Sequence, residues 1–256
     1  MFIRALILIL SISSIFAQIN YSYSGNILFG TINRISDASL IKVPFRFINY
    51  NTAIEYNSFS LKSTLALELS LSDETINIDN RELYLSWYPS FGEVRFGKQI
   101  NSWGVASTNS PLDILTPVNY YYFFSRGIEK NIGTTSLAID GYFSDYKLGF
   151  VYLFEHYSHY LPLDDPEMPI TIDSLPKNLM VEKIKQPQQF GINFVVPLLD
   201  IDFTFSYFKG YDHLMSLFGA SLWTDSINRT FGSYVDTVLS YRASEVFGIG
   251  ASTFLG

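Results

Sequence analysis

Apolar and polar side chains alternate with a period of two residues along much of the chain. The clearest example is segment 61–71, where leucine occupies position 61 and every second position from 65 to 71, with mostly polar residues between them. Successive side chains of a β-strand point to opposite faces, so this pattern predicts a strand with one apolar and one polar face. Its 11 residues match a tilted membrane-spanning strand better than the roughly five or six residues usual in globular proteins.

Similar but weaker alternation recurs through the sequence and predicts an all-β protein. After the N-terminal segment no stretch approaches 18 consecutive apolar residues, so any membrane crossing must be made by strands. Strands are predicted near residues 20–34, 43–56, 59–72, 81–88, 93–100, 134–143, 146–156, 187–197, 201–210, 232–242 and 245–255.

The connections between these strands alternate in length. Tight turns are predicted at 57–58, 89–92, 144–145, 198–200 and 243–244, and longer connections at 35–42, 73–80, 101–133, 157–186 and 211–231. Short periplasmic turns and longer extracellular loops are typical of outer-membrane barrels, whereas a β-sandwich has no reason to sort its loops by length. The sequence therefore predicts a transmembrane antiparallel up-and-down β-barrel.

The predicted strand count bears on whether this barrel is complete. About 11 strands are visible in the pattern, whereas closed bacterial barrels normally have an even number. The last predicted strand ends opposite the N-terminus, and the chain finishes at Phe254-Leu255-Gly256 without the terminal aromatic residue common in outer-membrane proteins. We therefore expect residues 18–256 to be the N-terminal part of a larger barrel.

The first 17 residues have the features of a secretory signal peptide. Arg4 provides a positive charge, the run from Ala5 to Phe16 is almost wholly apolar, and the small residue Ala17 precedes the expected cleavage before Gln18. This run is too short for a membrane-spanning helix, which needs about 20 apolar residues. The sequence therefore predicts export and residence in the bacterial outer membrane.

Composition agrees with a barrel and excludes one class of partner. Aromatic residues make up 17% of the chain and charged residues only 16%, and there is no cysteine. A barrel needs aromatic girdles and lipid-facing apolar side chains, so outer-membrane lipid and lipopolysaccharide are the expected surroundings. The net charge of −7 argues against nucleic acid, whose phosphates favour clustered Lys and Arg.

A more specific pattern occupies residues 82–130. A strand pair runs into Gly97-Lys98-Gln99, which is followed by Trp103-Gly104, by Asp113 and Pro117 in an Asp-x-x-x-Pro arrangement, and by Arg126. This segment resembles the porin-like outer-membrane proteins related to the alginate-export superfamily. The chain departs from the relatives after Pro117, where they often carry another acidic residue, so the resemblance implies a porin-like channel but does not identify its solute.

The long connection 101–133 contains the candidate functional residues. A long aromatic-rich loop in a barrel usually folds inward and narrows the pore, or caps it. We expect a constriction in which Arg95, Gln99, Asp113 and Arg126 face the solute, and Trp103 anchors the loop on the barrel wall or at the interfacial girdle. The alternative is a structural latch in which the charges of the loop pair with one another.

The leading functional prediction is a porin-like channel for passive or facilitated passage of small hydrophilic solutes or ions. Two alternatives remain open, an exporter of an acidic polysaccharide, which would need a lumen lined with arginine, and a secreted β-rich binding protein or adhesin. We expect no enzyme, because the arrangement His156-Tyr-Ser158-His159, with His213 elsewhere, lacks a recognisable group to orient a base. No cofactor and no metal site are predicted. Arginines that are candidates for a lumen are Arg46, Arg81, Arg95, Arg126 and Arg242.

Overall fold

The computed structural model describes residues 19–103, 113–123, 125, 127–163, 165, 167, 179–224 and 233–253. The predicted signal peptide and the C-terminal Phe254-Leu255-Gly256 lie outside these residues. The described strands are β1 (Ile19–Ile27), β2 (Phe45–Tyr56), β3 (Phe59–Ser70), β4 (Thr75–Trp87), β5 (Gly92–Gln99), β6 (Thr134–Phe143), β7 (Tyr146–Leu153), β8 (Leu179–Val181), β9 (Gln189–Leu198), β10 (Ile201–Tyr211), β11 (Ser216–Thr224), β12 (Ser233–Ser240) and β13 (Ala243–Thr253).

Ten of these strands form one antiparallel sheet, in the order β1-β2-β3-β4-β5-β6-β7-β9-β10-β13. Nearly every strand therefore pairs with its neighbour along the chain, as in an up-and-down meander. The remaining strands form a small sheet in the order β11-β12-β8, in which β8 and β12 are parallel. The prediction of an all-β protein with antiparallel strands is confirmed, and within the described residues the large sheet is open, with β1 and β13 at its edges.

The ends of the large sheet differ in the length of their connections. At one end, strands are joined by residues 57–58, 88–91, 144–145 and 199–200, and at the other by 28–44, 71–74, 100–133, 154–188 and 212–242. The connection 71–74 is the exception to the sorting, because a four-residue turn replaces the predicted longer loop 73–80. We call these the short-turn end and the long-loop end.

The strand count and two strand positions were predicted wrongly. The large sheet has ten strands, not eleven. Its first strand begins and its last strand finishes at the short-turn end, because Ile19 pairs with Tyr56 and Thr253 pairs with Ile201. The odd count therefore no longer argues for a larger barrel. In addition, β8 lies within the segment 157–186 and β11 within the segment 211–231, and both segments were predicted as loops.

A β-bulge explains why the first half of β4 was missed. Thr64 pairs with Glu82 and Leu65 pairs with Asn80, so Arg81 is an extra residue opposite β3. An extra residue reverses the alternation of side chains, so a single period-two pattern does not run through the whole strand. Exposed apolar residues accordingly change from even positions, such as Ile78, to odd positions, such as Leu83.

The two faces of the large sheet differ in chemistry. One face, here called the outer face, carries the cross-strand row of Leu61, Leu85, Phe96 and Leu137. The opposite face, here called the covered face, carries many of the buried side chains. Buried polar or charged side chains of the sheet are Arg46, Asn49, Ser60, Ser70, Arg81, Ser86, Gln99, Thr134, Ser136, Asp140, Gln189, Asn193, Thr204 and Ser206.

The outer face is strongly apolar yet exposed. The most exposed apolar side chains of the large sheet include Ile78 at 74%, Phe247 at 78% and Ile249 at 75%. A soluble sheet usually buries its apolar face and shows its polar face to water, so this distribution is reversed. In the described part of the chain no helix is long and apolar enough to cross a membrane.

Candidate functional site

The connection between β5 and β6 is here called the inner loop (residues 100–133), and its described residues contact the covered face of the large sheet. On one side its Glu129 contacts Arg46 of β2 and Arg81 of β4. On the other side its Trp103 contacts Gly191 of β9. Since β3, β4, β5, β6 and β7 lie between β2 and β9 in the sheet, the contacts of the inner loop extend across the covered face from β2 to β9.

Trp103 anchors the inner loop on the wall of the sheet. Its side chain is 8% exposed and belongs to a buried apolar cluster with Leu115, Ala138, Val151, Leu153 and Phe208. A Cβ atom placed on Gly191 would lie 2.4 Å from the Cη2 atom of Trp103, so only glycine leaves room for the indole ring. The indole ring therefore packs on the covered face of the sheet, against β9.

At β2 and β4, Glu129 binds two buried arginines. Its Oε2 lies 3.0 Å from Nη1 of Arg81 and 3.6 Å from Nη1 of Arg46, and Arg46 also pairs with Asp79 at 2.8 Å. The Nη2 atom of Arg81 donates to the carbonyl oxygen of Ile128 at 2.7 Å. We call Arg46, Asp79, Arg81 and Glu129 the Glu129 clasp, because it fixes the inner loop to β2 and β4.

Tyr122 adds a further attachment beside the Glu129 clasp. The guanidinium carbon of Arg46 lies 3.8 Å from the centre of the Tyr122 ring, which is a cation–π geometry. The Tyr122 hydroxyl donates to the carboxylate of Glu68 on β3. Burial and this carboxylate raise the pKa of Tyr122, so the hydroxyl keeps the proton that it donates.

Gln99 is fully buried and does not face open space. Its Nε2 donates to the carbonyl oxygen of Ser136 at 3.1 Å, and Ser136 in turn accepts a hydrogen bond from the Asn101 side chain at 2.9 Å. The preceding Gly97 has a φ of 135°, and a Cβ atom there would lie 2.4 Å from the Leu83 carbonyl oxygen. The Gly-x-Gln motif therefore shapes the end of β5 and the start of the inner loop, instead of presenting an amide to a solute.

Asp113 holds together two parts of the inner loop. Its Oδ2 accepts hydrogen bonds from Ser102 at 3.1 Å and from Asn131 at 3.5 Å. Burial raises the pKa of this carboxyl group, although its hydrogen bonds oppose the change. The position corresponds to the latch alternative more closely than to a carboxylate facing a passing solute.

Arg95 lies on the covered face in a group of paired charges. Its Nη2 lies 3.0 Å from Asp140, its Nε lies 3.9 Å from Glu93, and Asp140 also pairs with Lys147 at 3.2 Å. The Arg95 side chain is partly exposed, at 23%, so this group contributes charge to the polar lining of the sheet. Arg126, the remaining predicted candidate, lies outside the described residues.

The sequence did not reveal the Glu129 clasp. Arg46 and Arg81 were named only as arginines on separate strands, and Glu129 and Tyr122 were not named as functional candidates. The available signal was physical: a charged side chain on a covered strand face needs an opposite charge. Among the described residues no strand provides a carboxylate within 4.0 Å of Arg81. The partner of Arg81 therefore had to come from a connection such as the inner loop.

All three histidines of the chain meet at the long-loop end. The ring centres of His156 and His159 lie 5.8 and 5.3 Å from that of His213. His213 contacts the carbonyl oxygens of Tyr157 and Ile114 at 2.6 and 3.0 Å. The Nδ1 atom of His159 accepts a hydrogen bond from the backbone N–H of Val118 at 2.8 Å, so this cluster attaches the inner loop to the connections after β7 and β10.

The His159 bond predicts a pH dependence of stability. Burial and the neighbouring histidines lower the pKa of His159 from 6.5 to about 4. Between these values the unfolded chain binds more protons than the folded protein, so stability should fall as pH falls through this range. We expect His159→Asn, which retains an acceptor near the Nδ1 position, to flatten the decrease in thermal stability measured between pH 7 and pH 4.5. An equal decrease in both proteins would remove His159 as its cause.

Among the described residues no group of three His, Cys, Asp or Glu side chains has a geometry that holds a metal ion. Comparison with family models, with curated proteins and with solved structures gave no match. The resemblance to porin-like proteins over residues 82–130 therefore stays a prediction.

Proposed function

We propose that this chain forms an outer-membrane channel through which small hydrophilic solutes or ions pass by a passive or facilitated route. The observation that carries the proposal is the reversed distribution of side chains on the large sheet. Apolar residues such as Leu61, Leu65 and Ile78 are exposed on the outer face, and polar residues such as Ser60 and Ser86 are buried on the covered face. Lipid outside and water inside is the environment that suits both faces.

The apolar face would be unfavourable on a water-soluble protein. Full burial of a large apolar side chain stabilises a protein by roughly 1.5–3 kcal/mol relative to leaving it in water. A broad exposed apolar surface also favours aggregation. A bilayer removes both problems along the length of the strands, and it is the reason why we prefer a membrane channel to a secreted binding protein or adhesin.

A membrane location also requires the sheet edges to be satisfied. Unpaired backbone N–H and C=O groups are costly in hydrocarbon, so a spanning sheet must close. The described edges are β1 and β13, and closure would pair them directly or through further strands. The proposed barrel would place the inner loop within its lumen, where the loop narrows the path.

The lumen would be lined by polar groups on the covered face. Beside β1, a cavity of about 250 Å³ is bordered by hydroxyl, amide and amine groups on four adjacent strands. Together with the paired charges around Arg95 and Asp140, this surface suits water and small hydrophilic solutes. Polar lining residues of the cavity include Ser22, Ser24, Asn51, Lys62, Thr64 and Tyr84.

The paired arginines argue against an exporter of an acidic polysaccharide. Such a polymer needs arginines whose charges are available to it. Every arginine in the described part of the chain has a carboxylate within 4 Å: Arg34 pairs with Glu167, Arg46 with Asp79 and Glu129, Arg81 with Glu129, Arg95 with Asp140 and Glu93, and Arg242 with Asp212.

The test of this proposal is conduction by the full-length protein. We expect the protein to partition with the outer membrane, to migrate differently on detergent gels before and after boiling, and to produce discrete conductance steps in planar bilayers. A folded protein that is monomeric in water without detergent would contradict the membrane location. A protein that inserts into bilayers but passes no current and releases no entrapped solute from vesicles would contradict the channel.

A further inference from the structure

A cavity lies against the covered face at the long-loop end. It has a volume of about 700 Å³ and lies between the β1–β2 connection, the start of β2 and the inner loop. This volume is within the range of cavities that enclose small organic ligands. Its apolar lining includes Leu28, Phe29, Ile32, Ile41, Val43 and Leu71.

The mouth of this cavity is formed by apolar side chains that the protein itself leaves uncovered. Phe29 is 88% exposed and Ile32 is 46% exposed, and both line the cavity. They belong to the connection 28–44, which lies beyond the end of β1 and therefore outside the strand region that we assign to lipid. An apolar ligand in the cavity would bury part of their surface.

One buried side chain in the lining of the cavity has a polar atom without a hydrogen-bond partner. Asn49 of β2 lines the cavity and is 6% exposed, and its side-chain oxygen has no hydrogen-bond partner. Arg46, which also lines the cavity, is engaged by Asp79, Glu129 and Tyr122. A buried acceptor without a partner is unfavourable, so Asn49 is the group that a ligand donor would satisfy.

We propose that this cavity binds a small, uncharged, mainly apolar molecule that carries one hydroxyl or N–H group, with the apolar body among the lining side chains and the donor on the Asn49 oxygen. A negative or positive ligand group is not needed, because Arg46 and Glu129 already neutralise each other. This inference goes beyond the proposed function, because binding here does not require that the ligand crosses the membrane.

The test compares two probes with the same naphthalene body, one with a hydroxyl donor and one in which a methyl group replaces the hydroxyl hydrogen. 2-Naphthol has an apolar body and one hydroxyl group, and 2-methoxynaphthalene has the same body without the hydrogen. Binding to the refolded full-length protein is measured by equilibrium dialysis in detergent, against micelles without protein. We expect saturable binding of 2-naphthol, and about 3- to 10-fold weaker binding of 2-methoxynaphthalene, which is the range of one hydrogen bond.

Three variants locate the site. Asn49→Leu should weaken binding of 2-naphthol to the level of 2-methoxynaphthalene and leave the latter unchanged. Asn193→Leu is the matched control, since Asn193 is also buried on the covered face but does not line the cavity, and it should bind both probes like the parent. Leu71→Trp should weaken both probes, because it fills the cavity from the turn after β3.

Each outcome decides the proposal. The proposal would be overturned if micelles with and without protein took up equal amounts of 2-naphthol. It would also be overturned if Leu71→Trp bound both probes as tightly as the parent protein does. Persistence of the preference for 2-naphthol in Asn49→Leu would overturn the role of Asn49. Heat-modifiable migration on gels shows which variants are folded, and only these are compared. Conductance is measured separately, so a failure of binding is distinguishable from a failure of the channel.

Discussion

Leu65→Arg is expected to destabilise the protein folded in lipid vesicles by about 2–4 kcal/mol, the cost of placing an arginine near the middle of a bilayer on a barrel strand. Leu65 lies halfway along β3 on the outer face, where its side chain is 38% exposed. In the proposed barrel this side chain contacts hydrocarbon, so the added charge has no water and no opposite charge nearby. Urea unfolding from vesicles measures the difference.

Thr64→Arg is the matched control for this substitution. Thr64 is the preceding residue of the same strand, and its hydroxyl contacts Glu82 on the covered face at 3.4 Å. The new guanidinium would reach water and this carboxylate, so we expect a change below about 1 kcal/mol. Equal losses from the two substitutions would mean that the outer face of β3 does not contact lipid.

The second large effect is expected at the Glu129 clasp. Glu129→Ala removes the carboxylate that pairs with Arg81, whose side chain is 4% exposed. A buried charge that loses its partner is strongly unfavourable, so we expect a loss of about 1.5–3 kcal/mol in the free energy of unfolding. Since the inner loop is then less firmly held against β2 and β4, the single-channel conductance should also increase.

Glu167→Ala separates the effect of burial from the effect of charge. Glu167 pairs with Arg34 at 2.8 Å, but these side chains are 25% and 42% exposed. An exposed pair contributes between 0 and about 1 kcal/mol, so this variant should resemble the parent in stability and conductance. If Glu129→Ala behaves like Glu167→Ala in both measurements, the clasp does not hold the inner loop.

The strand with the clearest alternation, β3, was predicted well. The predicted strand 59–72 corresponds to β3 (Phe59–Ser70) because its outer face is apolar at every position except Ser63. The first half of β4 was missed because the extra residue Arg81 shifts the pattern. In β11, Phe218 is likewise an extra residue between the pairs of Leu217 and Gly219. Bulges depend on the partner strand, so one segment read alone does not reveal them.

The candidate site was predictable in its location but not in its contacts. The length and aromatic content of the segment 101–133 indicated a loop that packs on the protein, and the inner loop does lie on the covered face. The prediction that Gln99 faces a solute did not anticipate its burial. Gln99 pairs with Thr134 and donates a hydrogen bond to Ser136, and both contacts follow from the β5–β6 register. The Glu129–Arg46 contact joins residues that are far apart in sequence, which composition and spacing do not encode.

The path of the inner loop also determines the order in which the molecule can assemble. Most pairs in the large sheet join strands that are neighbours in the chain, so each hairpin closes with a small loss of chain entropy. The inner loop, in contrast, needs Arg46 on β2 and Gly191 on β9 to be in place before both of its anchors can form. We therefore expect the strands of the large sheet to pair first, and the inner loop to dock on the covered face in a late kinetic step.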